Sequence, residues 1–392
     1  MYQRTLEPYL RNLALTYPIV TVTGPRQSGK TTLCRAVFPD KPYVNLEAPD
    51  IREYATRDPR GFLAGYPDGA VFDEIQRVPE LPSYLQPIVD NRPVAGQYIL
   101  TGSQQFEVMT SISQSLAGRT AIVKLLPLSI EEMREAGLPL DIDRLILNGF
   151  YPRLYDREIV SHQMFGDYVE TYVERDIRQL VSVRDQGQFE KFIRLCAGRI
   201  GQLLNLQSLG NDVGISHTTA RSWLTLLEAS YVIFLLPPWF SNISKRQIKA
   251  PKLYFHDVGL AAYLLGAQSA LHVNRHPLKG NLFENMVVME ALKYRFHRGQ
   301  RSNLFFWRDA RGNEVDLIVE KALETVPVEI KAGATVVDDF FKGLRYFGGK
   351  LPSPPSTMAV IYGGSERQRR SGASVWPATE ASGLMREILA EP

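Results

Sequence analysis

Short apolar runs rich in β-branched residues recur through the first 125 residues, and longer polar stretches separate them. Apolar runs of this length are typical of strands buried on both faces, and the polar stretches have the length of helices. The runs cover residues 18–23, 43–46, 70–73, 97–101 and 121–125. This alternation predicts an α/β domain with a parallel sheet.

Helical spacing replaces the strand pattern after residue 128. Aromatic, basic and aliphatic positions recur there every three or four residues, as on amphipathic helices. They are Tyr168, Tyr172, Arg175, Ile177 and Leu180. We expect a helical lid and connector over residues 128–188.

A helix, a tight turn and a second helix are predicted within residues 189–265. Gly214 lies in the turn, and Ser216 is suited to cap the second helix. Two apolar runs that follow predict a β hairpin. The two helices and two strands cover residues 203–209, 217–229, 231–236 and 251–255. This order predicts a winged-helix domain.

Mixed helix and strand patterns return in residues 278–392. A helical stretch begins at Gly280, and three apolar runs between polar turns predict strands. These runs cover residues 303–307, 313–320 and 326–331. The tail from Gly363 carries several arginines among scattered serines and glycines, so we expect it to be loosely ordered.

The composition agrees with a folded protein of several domains. Hydrophobic residues make up 44% of the 392 residues and charged residues 22%, which excludes a wholly disordered, collagen-like or coiled-coil chain. Cys34 and Cys196 lie far apart, so neither a disulfide framework nor a structural zinc site is expected. The longest apolar run, residues 231–240, is broken by two prolines, and no apolar leader begins the chain. We therefore expect a cytoplasmic protein without a membrane span.

The segment directly after the first predicted strand matches the pattern G-x-x-x-x-G-K-[ST]. Its glycines let the backbone curl around phosphates, Lys30 reaches the β and γ oxygens, and Thr31 offers a hydroxyl to Mg²⁺. A chance glycine-rich turn is the alternative, but the loop, the lysine and the preceding strand agree. The predicted ATP-binding residues are Gly24, Pro25, Arg26, Gln27, Ser28, Gly29, Lys30, Thr31 and Thr32.

Two acidic residues, Asp73 and Glu74, end the third predicted strand. In a nucleotide site Asp73 holds the Mg²⁺ shell together with Thr31, and Glu74 polarises the attacking water. A solvated acidic turn is the alternative, but the position within an α/β pattern favours the catalytic role. The pair therefore predicts ATP hydrolysis and not only binding.

Two further segments of the chain have the chemistry to complete the site. Thr101, Ser103 and Gln104 end the fourth strand, where the γ-phosphate would lie, and Ser103 is the first candidate for a sensor. Arg119 follows a predicted helix and is a candidate finger that stabilises charge on a neighbouring subunit's nucleotide. An ordinary surface arginine is the alternative for Arg119.

Four short motifs and several later segments share one resemblance. They are G-P-R-Q-x-G-K-T-T, the apolar run with Asp-Glu-Ile-Gln, L-T-G-S, S-L-A-G-R, Pro127-Leu128-Ser129, Arg175-Asp176-Ile177, and residues 251–255 and 257–261. This set resembles a prokaryotic AAA+ ATPase family with a C-terminal domain of unknown function, over nearly the whole chain. The resemblance implies an AAA+ core over residues 1–127, assembly into rings, commonly hexamers, and a nucleotide site at the subunit boundary, which favours the finger role of Arg119.

Positive charge is concentrated in the middle of the chain. The whole chain carries a formal charge of +3, whereas residues 189–252 contain eight basic and three acidic residues, which gives +5. Basic patches bind the phosphates of DNA, and the second helix of a helix-turn-helix can face a groove. The candidate DNA-binding residues are His217, Thr218, Thr219 and Arg221 on that helix, and Lys245, Arg246 and Lys249 at the hairpin tip. A winged helix that packs between subunits is the alternative.

An acidic motif is spread over residues 278–392. Glu329 and Lys331 share one face of a predicted strand, and Asp316 on the preceding strand can join them. Two acids can hold a divalent metal while a lysine supports water attack on a phosphodiester. The order Glu284, Asp316, Glu329-x-Lys331 resembles the PD-(D/E)XK nuclease superfamily, with Val315 at the nominal proline position. The alternative is that Glu329 and Lys331 form an ordinary ion pair on an exposed strand. We expect a restriction-endonuclease-like domain that does not cleave.

These observations favour one function and leave two alternatives open. The leading hypothesis is a ring-forming AAA+ ATPase that uses ATP and Mg²⁺ to bind and remodel duplex or branched DNA. The second is a regulatory or signalling switch in which slow hydrolysis times assembly and the nuclease-like module only binds a partner. The third is a metal-dependent DNA nuclease licensed by ATP.

Overall fold

A computed structural model describes residues 2–103, 115–157, 159–177, 186–240, 250–321, 324–370 and 372–390. The chain divides into two compact units. The first comprises Met1–Leu128 with Ala229–Tyr231 and Arg295–Arg301, and the second comprises Ser129–Glu228, Val232–Tyr294 and Ser302–Pro392. In the part of the chain that is described, no helix is both long and apolar enough to cross a membrane.

The first unit contains a five-stranded sheet in the order β2-β3-β4-β1-β5. Its strands are β1 (Ile19–Thr23), β2 (Tyr43–Asn45), β3 (Ala70–Asp73), β4 (Tyr98–Gly102) and β5 (Thr120–Lys124). Every neighbouring pair is parallel, so the predicted α/β fold with a parallel sheet is confirmed. The described helices are α1 (Glu7–Ala14), α2 (Lys30–Val37), α3 (Pro49–Arg57), α4 (Pro59–Ala64) and α5 (Leu81–Asn91).

Both faces of this sheet are covered by apolar side chains. Val71 and Ile99 pack in a cluster with Leu33 of α2, whereas Phe72 and Leu100 pack in a separate cluster on the other face. Successive residues of a strand point to opposite faces, so strands buried on both faces are apolar throughout. The carboxyl ends of β1, β3 and β4 lie at one edge of the sheet, because parallel strands run in the same direction.

The second unit begins with helices. They are α6 (Ile130–Glu135), α7 (Ile142–Asn148), α8 (Pro152–Asp156), α9 (Ser161–Tyr168), a π-helical stretch (Val169–Ile177), α10 (Gln186–Ala197), α11 (Leu206–Val213) and α12 (His217–Ala229). Tyr168 and Tyr172 are buried, with their ring centroids 5.2 Å apart. The aromatic spacing of this segment therefore marks a buried helical face.

Helices α11 and α12 are joined by a tight turn in which Gly214 has a φ of 88°. Helix α11 begins at Leu206 and not at residue 203, because the Asn205 side chain caps it by accepting the Ser208 N–H at 2.9 Å. The Ser216 hydroxyl caps α12 by accepting the Thr219 N–H at 3.0 Å. Strands β6 (Ile233–Leu236) and β7 (Lys252–Phe255) follow as an antiparallel pair.

A six-stranded mixed sheet completes the second unit, in the order β12-β13-β11-β10-β9-β8. Strands β8, β9 and β10 pair antiparallel, whereas β10, β11 and β13 pair parallel. The remaining elements are α13 (Val258–Leu264), α14 (Ala270–Arg275), α15 (Lys279–Phe296), β8 (Leu304–Arg308), β9 (Glu314–Lys321), β10 (Glu324–Lys331), α16 (Lys342–Gly348), β11 (Ala359–Tyr362), β12 (Gln368–Arg370), β13 (Ala373–Pro377) and α17 (Ala381–Leu389).

The expectation of a loosely ordered tail after Gly363 is wrong for the residues described there. Strand β13 lies inside the sheet between β11 and β12, and Val375 is fully buried. The Arg367 guanidinium stacks over the Trp376 ring, 3.8 Å from its centroid. The arginines that suggested disorder precede and form β12, the edge strand, where charged side chains are tolerated and discourage pairing with other chains.

Candidate functional site

The nucleotide loop joins β1 to α2 in the first unit. Gly24 has a φ of 148°, and a Cβ at this position would overlap the carbonyl oxygen of Leu125. Gly29 has a φ of 94° and directly precedes α2, which begins without a side-chain cap. The sequence therefore needs glycine at both positions, and the first N–H groups of α2 are left for an anion such as phosphate.

Lys30 is buried at the base of this loop, with 5% of its surface exposed. Its Nζ donates to the carbonyl oxygens of Gly24 at 3.0 Å and Pro25 at 2.8 Å. Burial lowers the pKa of Lys30, and the nearby carboxylates of Glu74 and Asp73 oppose this shift. Phosphate oxygens in the loop would take the place of the two carbonyls as partners of the ammonium.

The Asp73 carboxylate accepts hydrogen bonds from three hydroxyl groups. Thr31 donates to its Oδ2 at 2.9 Å and Tyr43 donates to the same atom at 2.6 Å, while Thr101 donates to its Oδ1. The strand order explains this convergence, because β2 and β4 lie on either side of β3. The carboxylate of Asp73 and the hydroxyl of Thr31 are thus in direct contact. Both offer oxygen atoms, the ligands that Mg²⁺ prefers.

Glu74 adopts a left-handed backbone conformation, with φ 56° and ψ 51°. Such a conformation costs about 1–3 kcal/mol outside glycine and is found mainly at functional sites. The Glu74 carboxylate accepts from the Ser103 hydroxyl at 3.1 Å and from the Gln76 amide. The Glu74 N–H also donates to the Thr101 hydroxyl at 3.3 Å. Ser103 thus contacts the candidate base, whereas Gln104 lies outside the described residues.

Three further residues of this site were not found from the sequence. Arg4 is buried and donates to the carbonyl oxygens of Ser28 and Leu126, both at 2.7 Å. No motif spacing connects Arg4 to the loop. Gln76 lies two residues after Glu74, and Tyr43 is the first residue of β2, which lies beside β3. A strand order proposed in advance would have pointed to Tyr43.

Arg119 lies at the amino ends of the strands, whereas the nucleotide loop lies at their carboxyl ends. It directly precedes β5, whose first residue pairs with Ile19 at the start of β1, while the loop follows the end of β1. Five strand residues separate these two ends by about 13–17 Å. The guanidinium makes a two-point ion pair with Asp90, with N–O distances of 2.5 and 2.8 Å, which lowers the pKa of Asp90. Arg119 is therefore placed away from its own chain's loop.

The candidate DNA-binding residues are only partly described. His217, Thr218 and Arg221 are exposed at the start of α12, and Thr219 is half-buried. The predicted hairpin tip with Lys245, Arg246 and Lys249 lies outside the described residues. Of the predicted DNA-binding surface, the structure therefore describes only the residues on α12.

The four residues of the nuclease-like motif lie in one cluster of the second unit. Glu284 is on α15, Asp316 on β9, and Glu329 with Lys331 on β10. Lys331 Nζ lies 2.7 Å from Glu329 Oε2 and 3.2 Å from Asp316 Oδ2. Lys252 of β7, which the motif does not include, contacts Glu284 at 2.8 Å.

Burial controls the protonation of this cluster. It raises the pKa of Glu284 to about 7, and burial together with Asp316 raises the pKa of Glu329 to about 9. Burial alone would also raise the pKa of Asp316, but Lys331 and its hydrogen bonds hold that pKa below its ordinary value. Near neutral pH, Glu329 therefore carries the proton and Asp316 the charge.

Sequence comparisons divide the chain into three matched regions. Residues 16–134 match the family described as AAA domain. Residues 140–271 match a domain of unknown function, DUF8612, and residues 279–381 match another, DUF4143. The nucleotide loop and Asp73 fall within the first region, and the acidic cluster draws its four motif residues from the third.

Two mycobacterial proteins are similar to nearly the whole chain. They are the uncharacterized protein Rv2008c of Mycobacterium tuberculosis and the uncharacterized protein Mb2031c of Mycobacterium bovis. Each is 31% identical over 362 residues, which covers 91% of this chain and 79% of the relative.

Solved structures of lower similarity include two nucleotide-related proteins. The Walker-type ATPase PABY2304 of Pyrococcus abyssi is 16% identical, with a TM-score of 0.44, and the match covers 67% of this chain and 96% of that one. The AMPPCP-bound DnaA from Aquifex aeolicus is 18% identical, with a TM-score of 0.31 and coverage of 57% and 85%. On its match to the AAA domain and its 31% identity to the mycobacterial relatives, this chain belongs to their family and is a P-loop ATPase of the AAA type that also carries DUF8612 and DUF4143.

Proposed function

We propose that this ATPase couples ATP hydrolysis to the binding and remodelling of DNA, duplex or branched. The observation that carries the proposal is the exposed start of α12, where His217, Thr218 and Arg221 face away from the core of the second unit. A capped second helix that follows a tight turn is the element that helix-turn-helix proteins place in the major groove. The local charge of +5 over residues 189–252 includes the buried Lys252, and the +4 that remains over residues 189–251 favours contact with phosphates.

Hydrolysis would use the contacts at the carboxyl edge of the first sheet. Lys30 would bind the β and γ phosphates, and Thr31 with Asp73 would hold Mg²⁺, which neutralises charge on the phosphate oxygens. These two side chains fit the ion because both present oxygen atoms, 2.9 Å apart. Glu74 would polarise the attacking water.

Glu74 would first exchange one of its present partners for that water. Its carboxylate accepts from Ser103 and Gln76, and the Gln76 amide also donates to Ser103 at 3.3 Å. Ser103 and Gln76 are therefore suited to hold the carboxylate until the γ-phosphate is in place. This arrangement favours the regulatory switch as the second candidate function. While Ser103 and Gln76 bind the Glu74 carboxylate, Glu74 cannot polarise the water, and ATP is hydrolysed slowly.

Assembly into a ring, which we propose to be a hexamer, would bring Arg119 to a neighbouring subunit. Arg119 is on the edge of the sheet away from its own loop, and its guanidinium already makes a two-point contact with the Asp90 carboxylate. A planar guanidinium binds phosphate oxygens with the same two-point geometry. We therefore propose that a neighbouring γ-phosphate replaces Asp90 as its partner in the assembled ring.

The folds of the two later domains are also part of this proposal. The order α11, α12, β6, β7 supports a winged helix. A helix, three antiparallel strands, a helix and a parallel strand follow in the order α15, β8, β9, β10, α16, β11, which supports a restriction-endonuclease-like fold. We propose that this last domain binds DNA or a partner without cleaving it.

Steady-state ATP turnover would test the proposal, measured without nucleic acid, with duplex DNA and with a four-way DNA junction. We expect DNA to stimulate turnover, Lys30→Ala to abolish it, and Arg221→Ala to weaken the stimulation at unchanged basal rate. Arg57→Ala is the matched control, since Arg57 is an exposed arginine of the first unit. Clear basal turnover without any DNA response would leave the regulatory switch as the better function.

A further inference from the structure

A buried lysine ammonium lies among three carboxylates in the second unit. The Lys252 side chain on β7 is only 2% exposed. Its Nζ lies 2.8 Å from Glu284 Oε1, 2.5 Å from Glu314 Oε1 and 4.0 Å from Asp316 Oδ1. Helix α15 supplies Glu284, and β9 supplies Glu314 and Asp316. The cation between these acids comes from β7, a strand that carries no residue of the nuclease-like motif.

A divalent ion that used these acids would need the same space. A bound Mg²⁺ contacts carboxylate oxygens at about 2.0–2.1 Å, so it would have to lie between Glu284, Glu314 and Asp316. The ammonium stands there now, and like charges this close repel strongly in a buried environment. In the described part of the chain, no three His, Cys, Asp or Glu side chains are arranged to hold a metal ion.

The charges of the cluster are already matched by cations of the protein. Lys331 lies between Glu329 and Asp316, and Arg308 contacts Glu314 at 3.0 Å. Three basic groups, Lys252, Lys331 and Arg308, thus contact the four acids of the cluster. Buried acids that are paired in this way need no metal to balance their charge.

We propose that Lys252 Nζ occupies the position from which a divalent cation would contact Glu284, Glu314 and Asp316, and thereby closes this cluster to metal. The domain then has the acids and the lysine of a nuclease-like motif without the ion that such chemistry requires. The cluster acts instead as an internal ion network that attaches β7 to α15 and β9. This proposal does not depend on the proposed DNA-coupled ATPase function.

The removal of the ammonium should open a metal site. We expect Lys252→Met to bind one Mn²⁺ about tenfold or more tightly than the wild type, because three acids lose their cation and a divalent ion can replace it. Binding is measured on the nucleotide-free full chain from the Mn²⁺ signal in electron paramagnetic resonance. All proteins carry Asp73→Asn, so that the nucleotide site does not contribute.

Lys293→Met is the matched control, because Lys293 is also a fully buried lysine, and its Nζ pairs at 2.8 Å with Glu290, which is not one of the acids around Lys252. We expect it to lose stability without any gain in Mn²⁺ binding. A folded Lys252→Met that binds no more Mn²⁺ than Lys293→Met would overturn the proposal.

The unsubstituted cluster gives a second test that does not depend on the folding of Lys252→Met. We expect Mn²⁺ binding to be the same with and without Asp316→Asn. Tight binding that Asp316→Asn abolishes would show that metal enters beside Lys252, and the proposal would then be wrong. If Lys252→Met unfolds, we expect Mn²⁺ to restore its cooperative thermal unfolding, and no restoration would count against the proposal.

Discussion

Arg4 shows how one residue outside a motif supports the motif. Its guanidinium bridges the carbonyl of Ser28, inside the nucleotide loop, and the carbonyl of Leu126, beyond the end of β5. A buried carbonyl that loses its donor costs about 1–3 kcal/mol. Lysine carries the same charge but cannot present two donors in a fixed plane. The loop conformation therefore depends on the shape of the arginine as well as on its charge.

For Arg4→Lys we expect a rise of about tenfold in the KM for ATP, which corresponds to about 1.4 kcal/mol, with a smaller effect on kcat. A loosened loop weakens nucleotide binding more than it changes the hydrolytic groups at β3 and β4. Steady-state kinetics measures both constants. Arg11→Lys is the control, since Arg11 is a more exposed arginine that pairs with Glu7. Equal KM values for Arg4→Lys and wild type would exclude this supporting role.

Glu329 should make the stability of the second unit depend on pH. Its folded-state pKa of about 9 exceeds the ordinary value of 4.5, so the folded chain keeps a proton that the unfolded chain releases. This contribution to stability is fully present below about pH 4.5 and is lost as the pH rises through 9. For Glu329→Gln, which cannot titrate, we expect a flatter decline in the free energy of unfolding between pH 5 and 9.

Urea unfolding at pH 5, 7 and 9 would measure this difference. Glu387→Gln is the control, because Glu387 is an exposed acid of α17 in the same unit, and it should follow the wild-type profile. A profile of Glu329→Gln as steep as that of the wild type would mean that another group carries the pH dependence.

At the scale of elements, the sequence was most informative where one element carries its own signal. The strands of the first sheet are apolar throughout because both faces are buried, and each predicted run overlaps an observed strand. The loop from Gly24 to Thr32 could be found because its chemistry is contiguous. The start of α11 was misplaced by three residues, because the cap at Asn205 competes with the apolar pattern that begins earlier.

Contacts between distant elements could not be predicted in this way. Tyr43 reaches Asp73 only because β2 lies beside β3, and Lys252 reaches Glu284 only because β7 packs against α15. The single-sequence pattern gives the order of the elements along the chain but not these neighbours. For the same reason the motif residues of the acidic cluster were found, whereas the cation at its centre was not.

At the scale of the whole molecule, the first unit is not a continuous piece of chain. Residues 229–231 and 295–301 belong to it, although they follow segments of the second unit. Tyr231 shares a hydrogen bond of 3.0 Å with Thr23, the last residue of β1, and His297 accepts the Leu126 N–H at 3.2 Å. Both contacts flank the nucleotide loop.

A fragment of residues 1–128 should therefore be unstable, although it contains every predicted ATP-binding residue. We expect it to lack cooperative thermal unfolding and to bind ATP poorly, because buried groups at Thr23 and Leu126 lose their partners. Calorimetry and nucleotide titration of the fragment and of the full chain would measure both properties. A fragment that unfolds cooperatively and binds ATP like the full chain would contradict this expectation.

The path of the chain between the units also bears on how such proteins evolve. The polypeptide passes from one unit to the other five times, so no single cut or fusion point separates them. Recombination that exchanged the ATPase for a different one would remove parts of both units. Relatives should therefore inherit the whole arrangement together and diversify by point substitution at exposed positions, not by the exchange of whole domains.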